Sequence, residues 1–243
     1  MFWKKKKDNR IIFWTNAKGL PDIVPIRESK YFIPDWFKKA PSFLPGGNEL
    51  TDQPTVKRCP SFIDFFKTGY VLPAWCDFYL KIEEDKFFVD TPGKNAFPSG
   101  FHPSNQFIDH LPEHAKKNVK LVFKPGNPWK VKTPKGVKML QLPMSYHFNP
   151  DFYVLTGVVD TCITHEFHPQ IIFNRVGEFL IKRGTPLAMY IPIRTEEFDL
   201  VVREETKEDA DAFGKQDYAT VSVFNSKLQK YEKLLKDRSG EKP

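Results

Sequence analysis

This chain of 243 residues is short of cysteine and lacks any long apolar run, and both shortages narrow what it can be. Its three cysteines, Cys59, Cys76 and Cys162, are odd in number and widely separated, which excludes a disulfide framework and points to a reducing compartment. No C-x-x-C occurs, so a thiolate zinc site is not expected. No window approaches the roughly 18 apolar residues of a membrane span, and the opening MFWKKKKDNR lacks the apolar centre of a signal peptide. The expectation is a soluble protein of the host-cell cytoplasm or of a virion, with no membrane partner. G-x-G-x-x-G, the P-loop and G-x-S-x-G are missing too, which removes Rossmann or kinase-like nucleotide handling and elbow-type serine hydrolysis.

What the chain has in excess is phenylalanine (23) and proline (21). So many prolines are incompatible with helix interiors and central strands, so much of the chain must be turns, edges and loops around an aromatic core. The net charge of +7 is unevenly placed. Lys4 to Lys7 form a run, residues 115–138 carry many lysines and no acid, and the C-terminal tail mixes both signs. Such a balance suits nucleic acid, phosphorylated ligands or an acidic partner, although most of these lysines are expected on a solvated surface.

The region from Leu140 to Ile193 organises the rest. Tyr153–Leu155, Val158-Val159, Gln170–Phe173, Phe179–Ile181 and Leu187–Ile191 are short runs of β-formers. They are separated by Asn149-Pro150-Asp151, Thr156-Gly157, His168-Pro169, Val176-Gly177-Glu178 and Arg183-Gly184-Thr185-Pro186, which read as turns. That spacing predicts a mainly β, barrel-like or sandwich antiparallel core rather than βαβ units. Further strands are expected at Arg10–Trp14, Cys76–Ile82 with Lys86–Val89 as a hairpin, Val119–Phe123, Trp129–Lys132 and Val137–Leu142. Pro34-Asp35 opens a single helical turn at Trp36-Phe37, and Ser61 is the expected N-cap of a helix running to Lys67. Residues 91–118 read as loop. Phe224, Leu228, Tyr231 and Leu235 recur at helical spacing, predicting an amphipathic C-terminal helix over 217–236. The organisation expected is an irregular Pro- and aromatic-rich N-terminal arm (1–54), a β core (55–195), and a polar linker with one C-terminal α-helix (196–243).

His165-Glu166-Phe167-His168 gathers two histidines and an acid, which with His147 or His102 would make a facial metal triad. On a regular strand, however, His165 and His168 face opposite ways, so surface or core histidines are the expectation and no metal ligand is assigned. Lys130, Lys132, Lys135 and Lys138 alternate with apolar residues, as on a strand with one basic face.

Several motifs occur in order: IPDWFKKAPSF, TVKRCPSFIDFFKTGYVLP, NPWKVKTPKGV, TGVVDT and KRGTPLA. Together they resemble an uncharacterised family of tailed-phage and bacterial proteins, a domain of unknown function, over most of residues 11–195. That resemblance implies a phage-type intracellular protein and carries no reaction.

A narrower resemblance covers residues 140–191. Leu142-Pro143-Met144-Ser145, Gly157-Val158-Val159-Asp160, an apolar strand ending at Asn174, and Phe179–Ala188 are similar in order and spacing to the dUTPase and dCTP deaminase group. There the elements read P-R-S-S, G-V-I-D, L-F-N and F-x-I-x-x-G-x-x-I-A-Q. The fold this implies is a β-clip, a distorted antiparallel barrel that assembles as a trimer. By the resemblance, Asp160 takes the place of the carboxylate that activates water, and Ser145 that of the serine that holds phosphate. Met144 stands where that group has its arginine, and no R-G-x-x-G-F-G-S-T arm closes the chain. Those departures remove phosphate charge stabilisation, so binding without established catalysis is the expectation.

The candidate catalytic residue is therefore Asp160, and the candidate ligand-binding residues are Ser145, Tyr146, Gly157 and Arg183. The expected partners are a nucleotide or other phosphorylated ligand, further copies of the same chain, and phage structural proteins. Magnesium enters only with a nucleotide. The alternatives are a non-enzymatic virion or assembly protein and, third, a deoxynucleotide hydrolase or deaminase.

Overall fold

The computed structural model describes residues 9–47, 53–84, 86–91, 97–194, 196 and 198–212. Two compact units divide the chain: Met1–Phe32 with Lys67–Glu196, and Ile33–Phe66 with Glu197–Pro243.

The first unit holds β1 (Ile12–Thr15), β2 (Arg27–Glu28), β3 (Tyr70–Pro73), β4 (Phe78–Ile82), β5 (Phe87–Asp90), β6 (Gly100–Phe101) and β7 (Leu121–Lys124). It continues with β8 (Trp129–Lys132), β9 (Val137–Pro143), β10 (Phe152–Val154), β11 (Gly157–Val159), β12 (Ile171–Phe173), β13 (Gly177–Ile181) and β14 (Pro186–Arg194). They form a five-stranded sheet β11-β9-β14-β3-β2, a four-stranded sheet β10-β12-β7-β6, a three-stranded sheet β13-β4-β5 and a ribbon β1-β8. The pairings are antiparallel. The mainly β antiparallel core agrees with the strand spacing read from the sequence, but among the described residues the sheets are not closed into a barrel.

Periodicity explains the sheets. In β4 (FYLKI) and β13 (GEFLI) every second side chain is buried, so each strand gives one face to the core and one to water. In β12 all of Ile171, Ile172 and Phe173 are buried, because this strand lies between β10 and β7 and is covered on both faces. The main core cluster joins residues of all four sheets, among them Leu80, Val131, Met139, Phe173 and Tyr190.

Within that apolar core lies one polar crossing. Gln141 on β9 sits opposite Tyr190 on β14 and Gly157 on β11. The Tyr190 hydroxyl donates to Gln141 Oε1 at 2.6 Å, and Gln141 Nε2 donates to the Leu155 carbonyl at 2.7 Å. Gly69, ahead of β3, adopts φ +81°, and a Cβ there would stand 2.5 Å from the Tyr190 carbonyl oxygen. Only glycine meets both conditions.

The loop expected over 91–118 is less irregular in its described residues 97–118. They include β6, two short 3-10 turns and a four-residue helix α4, and at Ser104 and Glu113 the turn begins directly after a proline. The first unit also carries α1 (Leu20–Ile23), which makes α4 (Glu113–Lys116) the last short helix of the described chain to be numbered.

In the second unit, α2 (Asp35–Lys39) and α3 (Pro60–Lys67) bring Phe37 against Phe62, stacked at 6.1 Å, and against Phe66, edge-on at 4.7 Å. Ser61 is not the N-cap of α3. The helix starts one residue earlier, at Pro60, whose fixed φ suits the first helical position, and Ile63 N–H bonds to the Cys59 carbonyl. Residues 207–212 are helical. Thr206 N–H donates to Asp209 Oδ2 (2.9 Å) while Asp209 N–H donates to Thr206 Oγ1 (3.3 Å), a reciprocal cap. The helix expected over 217–236 lies outside the described residues.

The polar crossing predicts a measurable coupling. Replacing Tyr190 by Phe strands Gln141 Oε1 in the core and is expected to lower unfolding free energy by about 1–2 kcal/mol in urea titrations at pH 8. Burial raises the Tyr190 phenol well above its ordinary value of 10.0. The folded state therefore holds that proton more tightly than the unfolded state. Its contribution is complete below pH 10 and is lost as pH rises beyond it, so the gap between wild type and Tyr190→Phe should narrow above that pH.

Candidate functional site

β9 ends at Pro143 and the chain turns through a 3-10 segment, Ser145–His147, into Phe148. Phe148 is the one non-glycine described residue with positive φ (48°), and its side chain is largely exposed. A left-handed aromatic residue costs about 1–2 kcal/mol, so its neighbours hold it there. Asn149 Oδ1 accepts from Asp151 N–H (2.9 Å) and Phe152 N–H (3.2 Å), closing the turn into β10. On the other side, β14 changes register against β3 between Pro186 and Ala188, an irregularity that bends a strand where it begins.

Between these two turns lies a groove of about 650 Å³. Ser145, His147 and Thr185 supply polar groups, and Phe148, Tyr153 and Met144 supply apolar walls. His147 Nε2 donates to the Phe32 carbonyl at 2.9 Å, which fixes the ring. Asp151, also on the wall, receives Arg175 Nη2 at 2.6 Å.

Asp160 stands at the opposite end of β9. Its Oδ1 accepts from Cys162 N–H at 3.2 Å, its carbonyl accepts from Thr164 N–H at 2.8 Å, and its Oδ2 lies 3.8 Å from Lys138 Nζ. Beneath it, the buried Thr161 and Thr133 hydroxyls meet at 2.8 Å, and Thr133 donates to the Val137 carbonyl at 2.6 Å. Lys138 and Ser145 are seven residues apart, so Asp160 and Ser145 are separated by about 20 Å at the rise of an extended strand.

The candidate residues thus divide. Ser145 lines the groove; Tyr146 follows it in the 3-10 segment without being part of the lining. Gly157 is paired with Gln141 in mid-sheet, three residues before Asp160. Arg183 is exposed in the turn before β14, its backbone N–H donating to Asp77 Oδ1 at 2.7 Å, two residues ahead of the groove residue Thr185. One chain does not bring Asp160 to the groove. Phe148, Tyr153 and Thr185 were visible in the sequence only as parts of turns and strands.

His165 Nδ1 lies 3.2 Å from the Thr161 carbonyl, and His168 Nε2 lies 3.7 Å from Glu166. Lys130, 3.3 Å from Glu166, holds that carboxyl below its ordinary range. Burial, helped by the charge of Lys124, lowers the His168 pKa, and His168 Nδ1 is a buried nitrogen without a hydrogen-bond partner. His147 and His102 are held elsewhere, on the Phe32 carbonyl and on Gln106. No group of three or more His, Cys, Asp or Glu side chains is placed to share a metal ion among the described residues.

No family model matches the chain, and no curated protein is significantly similar to it. Among solved structures, a mutant dUTPase from phage phi11 of S. aureus, which coordinates a structural Mg(II) ion, is 12% identical with a TM-score of 0.33, over 58% of this chain and 85% of its own. A Staphylococcus bacteriophage 80alpha dUTPase mutant is 14% identical with a TM-score of 0.32, over 58% and 86%. A further phi11 dUTPase is 12% identical with a TM-score of 0.31, over 58% and 84%. Similarity at this level transfers neither substrate nor residue roles. No helix among the described residues is long and apolar enough to cross a membrane.

The turn geometry at Asp160 carries its own test. Asp160→Asn keeps an oxygen for the Cys162 N–H and is expected to change stability by less than about 0.5 kcal/mol, whereas Asp160→Ala removes the acceptor and costs about 1 kcal/mol. Chemical denaturation of the two variants separates them.

Proposed function

We propose that this protein is a phage-type binding protein whose groove beyond β9 holds a small phosphorylated ligand, in the first instance a deoxynucleotide, without turning it over. The observation that carries this reading is the groove itself. Its volume of about 650 Å³ falls in the range of small-molecule sites, and it combines apolar walls with few polar groups. Phe148 and Tyr153 offer ring surface to a base. Ser145 and Thr185 offer hydroxyls, and the turn leading into Thr185 carries the exposed Lys182 and Arg183 for a phosphate. Phe148 keeps its strained backbone in the same wall, as functional sites often do. The distance from this groove to Asp160 argues against water activation there within one chain, since a general base must lie within hydrogen-bond reach of its water.

Thermal unfolding against a panel of deoxynucleotides with magnesium tests the proposal. A ligand at a hundred times its Kd contributes about 2.7 kcal/mol, which raises Tm by roughly 5–10 °C at this size. Ser145→Ala and Phe148→Ala are expected to shrink that shift and Asp160→Asn to preserve it, with no pyrophosphate or ammonia released. A panel that leaves Tm unchanged removes the reading. Loss of the shift in Asp160→Asn would replace the one-chain groove with a site shared between two copies.

A second reading, as a non-enzymatic assembly protein, rests on the outer face of the β13-β4-β5 sheet. Phe88 and Leu180 project from it at 55% and 56% exposure, more than a solvated sheet face usually shows for such side chains. If that face joins copies of the chain, Leu180→Asp with Phe88→Asp should lower the mass measured by light scattering; an unchanged mass counts against it.

A further inference from the structure

The β1-β8 ribbon gathers features that the groove does not use. Its register pairs Ile12 with Lys132 and Trp14 with Lys130. Phe13 and Val131, between them, turn inward: Val131 is buried in the core, and Phe13 packs on Tyr70 and Phe167. Alternation therefore sends Ile12, Trp14, Lys130 and Lys132 to the outer face, where Ile12 and Trp14 are 41% and 37% exposed. Trp14 meets His165 edge-on at 5.5 Å, a contact that orients the indole while leaving part of it in solvent.

Positive charge converges on one end of this ribbon. Beyond Lys132 the chain turns through Pro134–Gly136 and returns as β9, so Lys135 is exposed at the turn and Lys138 lies just after it. Ile12 lies at the same end, paired with Lys132. Against Lys130, Lys132, Lys135 and Lys138 stand Asp160, 3.8 Å from Lys138, and Glu166, 3.3 Å from Lys130. Both ion pairs are solvent-exposed, a class worth less than about 1 kcal/mol, so a phosphate can compete for the lysines.

We infer that the outer face of the β1-β8 ribbon, with the lysines collected at its Ile12 end, binds single-stranded nucleic acid. The lysines meet phosphates by counter-ion release, which needs no sequence. Trp14 meets a base. A duplex keeps its base faces inside its own stack and has none to give the indole, whereas a single strand does. The partner is accordingly a single strand read through charge and stacking, and the ribbon acts independently of the groove.

Fluorescence anisotropy with a labelled 20-nucleotide oligo-dT and a duplex of equal length, using the full chain, tests this. Wild type should bind oligo-dT more tightly than duplex and lose affinity steeply with salt. Lys132→Glu with Lys135→Glu should weaken binding at least tenfold and flatten the salt dependence. Trp14→Ala should weaken oligo-dT binding about tenfold, leave the salt slope intact and scarcely affect duplex binding. Ser145→Ala should leave oligo-dT binding unchanged, which keeps this result separate from that of the groove. The inference is overturned by absence of binding at 50 mM salt with protein in the tens of micromolar. Equal affinity for duplex with no effect of Trp14→Ala overturns it too, as does polyglutamate that displaces oligo-dT charge for charge.

Discussion

The hydrogen bonds of Gln141 are the constraint on which the first unit depends. A neutral amide buried at the junction of β11, β9 and β14 is tolerable only if both its ends are satisfied. Tyr190 satisfies one end from β14, and the Leu155 carbonyl, just before β11, satisfies the other. Sliding β9 by a single residue would turn Gln141 to the opposite face, exposing Met139 and burying lysine in its place. The amide thus fixes the register of β9 between its two neighbours. The register in turn fixes where β9 ends, and so where the Ser145–Phe148 turn and the groove stand relative to the start of β14.

The motifs that stand out in the sequence prove to be the hydrogen-bonded corners of this arrangement. In NPW, Asn127 Oδ1 accepts from Trp129 N–H at 3.0 Å and its amide donates to the Phe167 carbonyl at 2.7 Å. The threonines of KTPKG and GVVDT face each other through their hydroxyls. Such residues are recognisable because a turn or a buried hydroxyl demands specific chemistry, and that demand is local. Strands were legible for the same reason, since the period of two is written in consecutive residues, as in β4 and β13.

What joins distant segments was not legible. Ser145 and Asp160 are close in sequence, and a shared pocket was the natural expectation, but the seven residues of β9 run straight and carry them apart. The groove is built from side chains of two separate segments, 143–153 and 185–187, each unremarkable alone. Alternating lysines were visible from Lys130 to Lys138, whereas their neighbourhood with Trp14 depends on a pairing no local pattern announces. The two ends of β9 are consequently different in chemistry: one is a recess walled by rings and hydroxyls, the other a charged corner beside the ribbon.

The ribbon has a consequence for how the chain comes to be folded. β1 ends at Thr15, yet its partner β8 begins only at Trp129. Until the two pair, Phe13 and Trp14 have no strand to lie against, and the chain carries an unpaired, aromatic-rich edge. Pairings of such high contact order are slow, because loop closure must precede any gain from the contact. Closing the β1-β8 ribbon is therefore a late step in folding, one that waits on the core strands between the two segments.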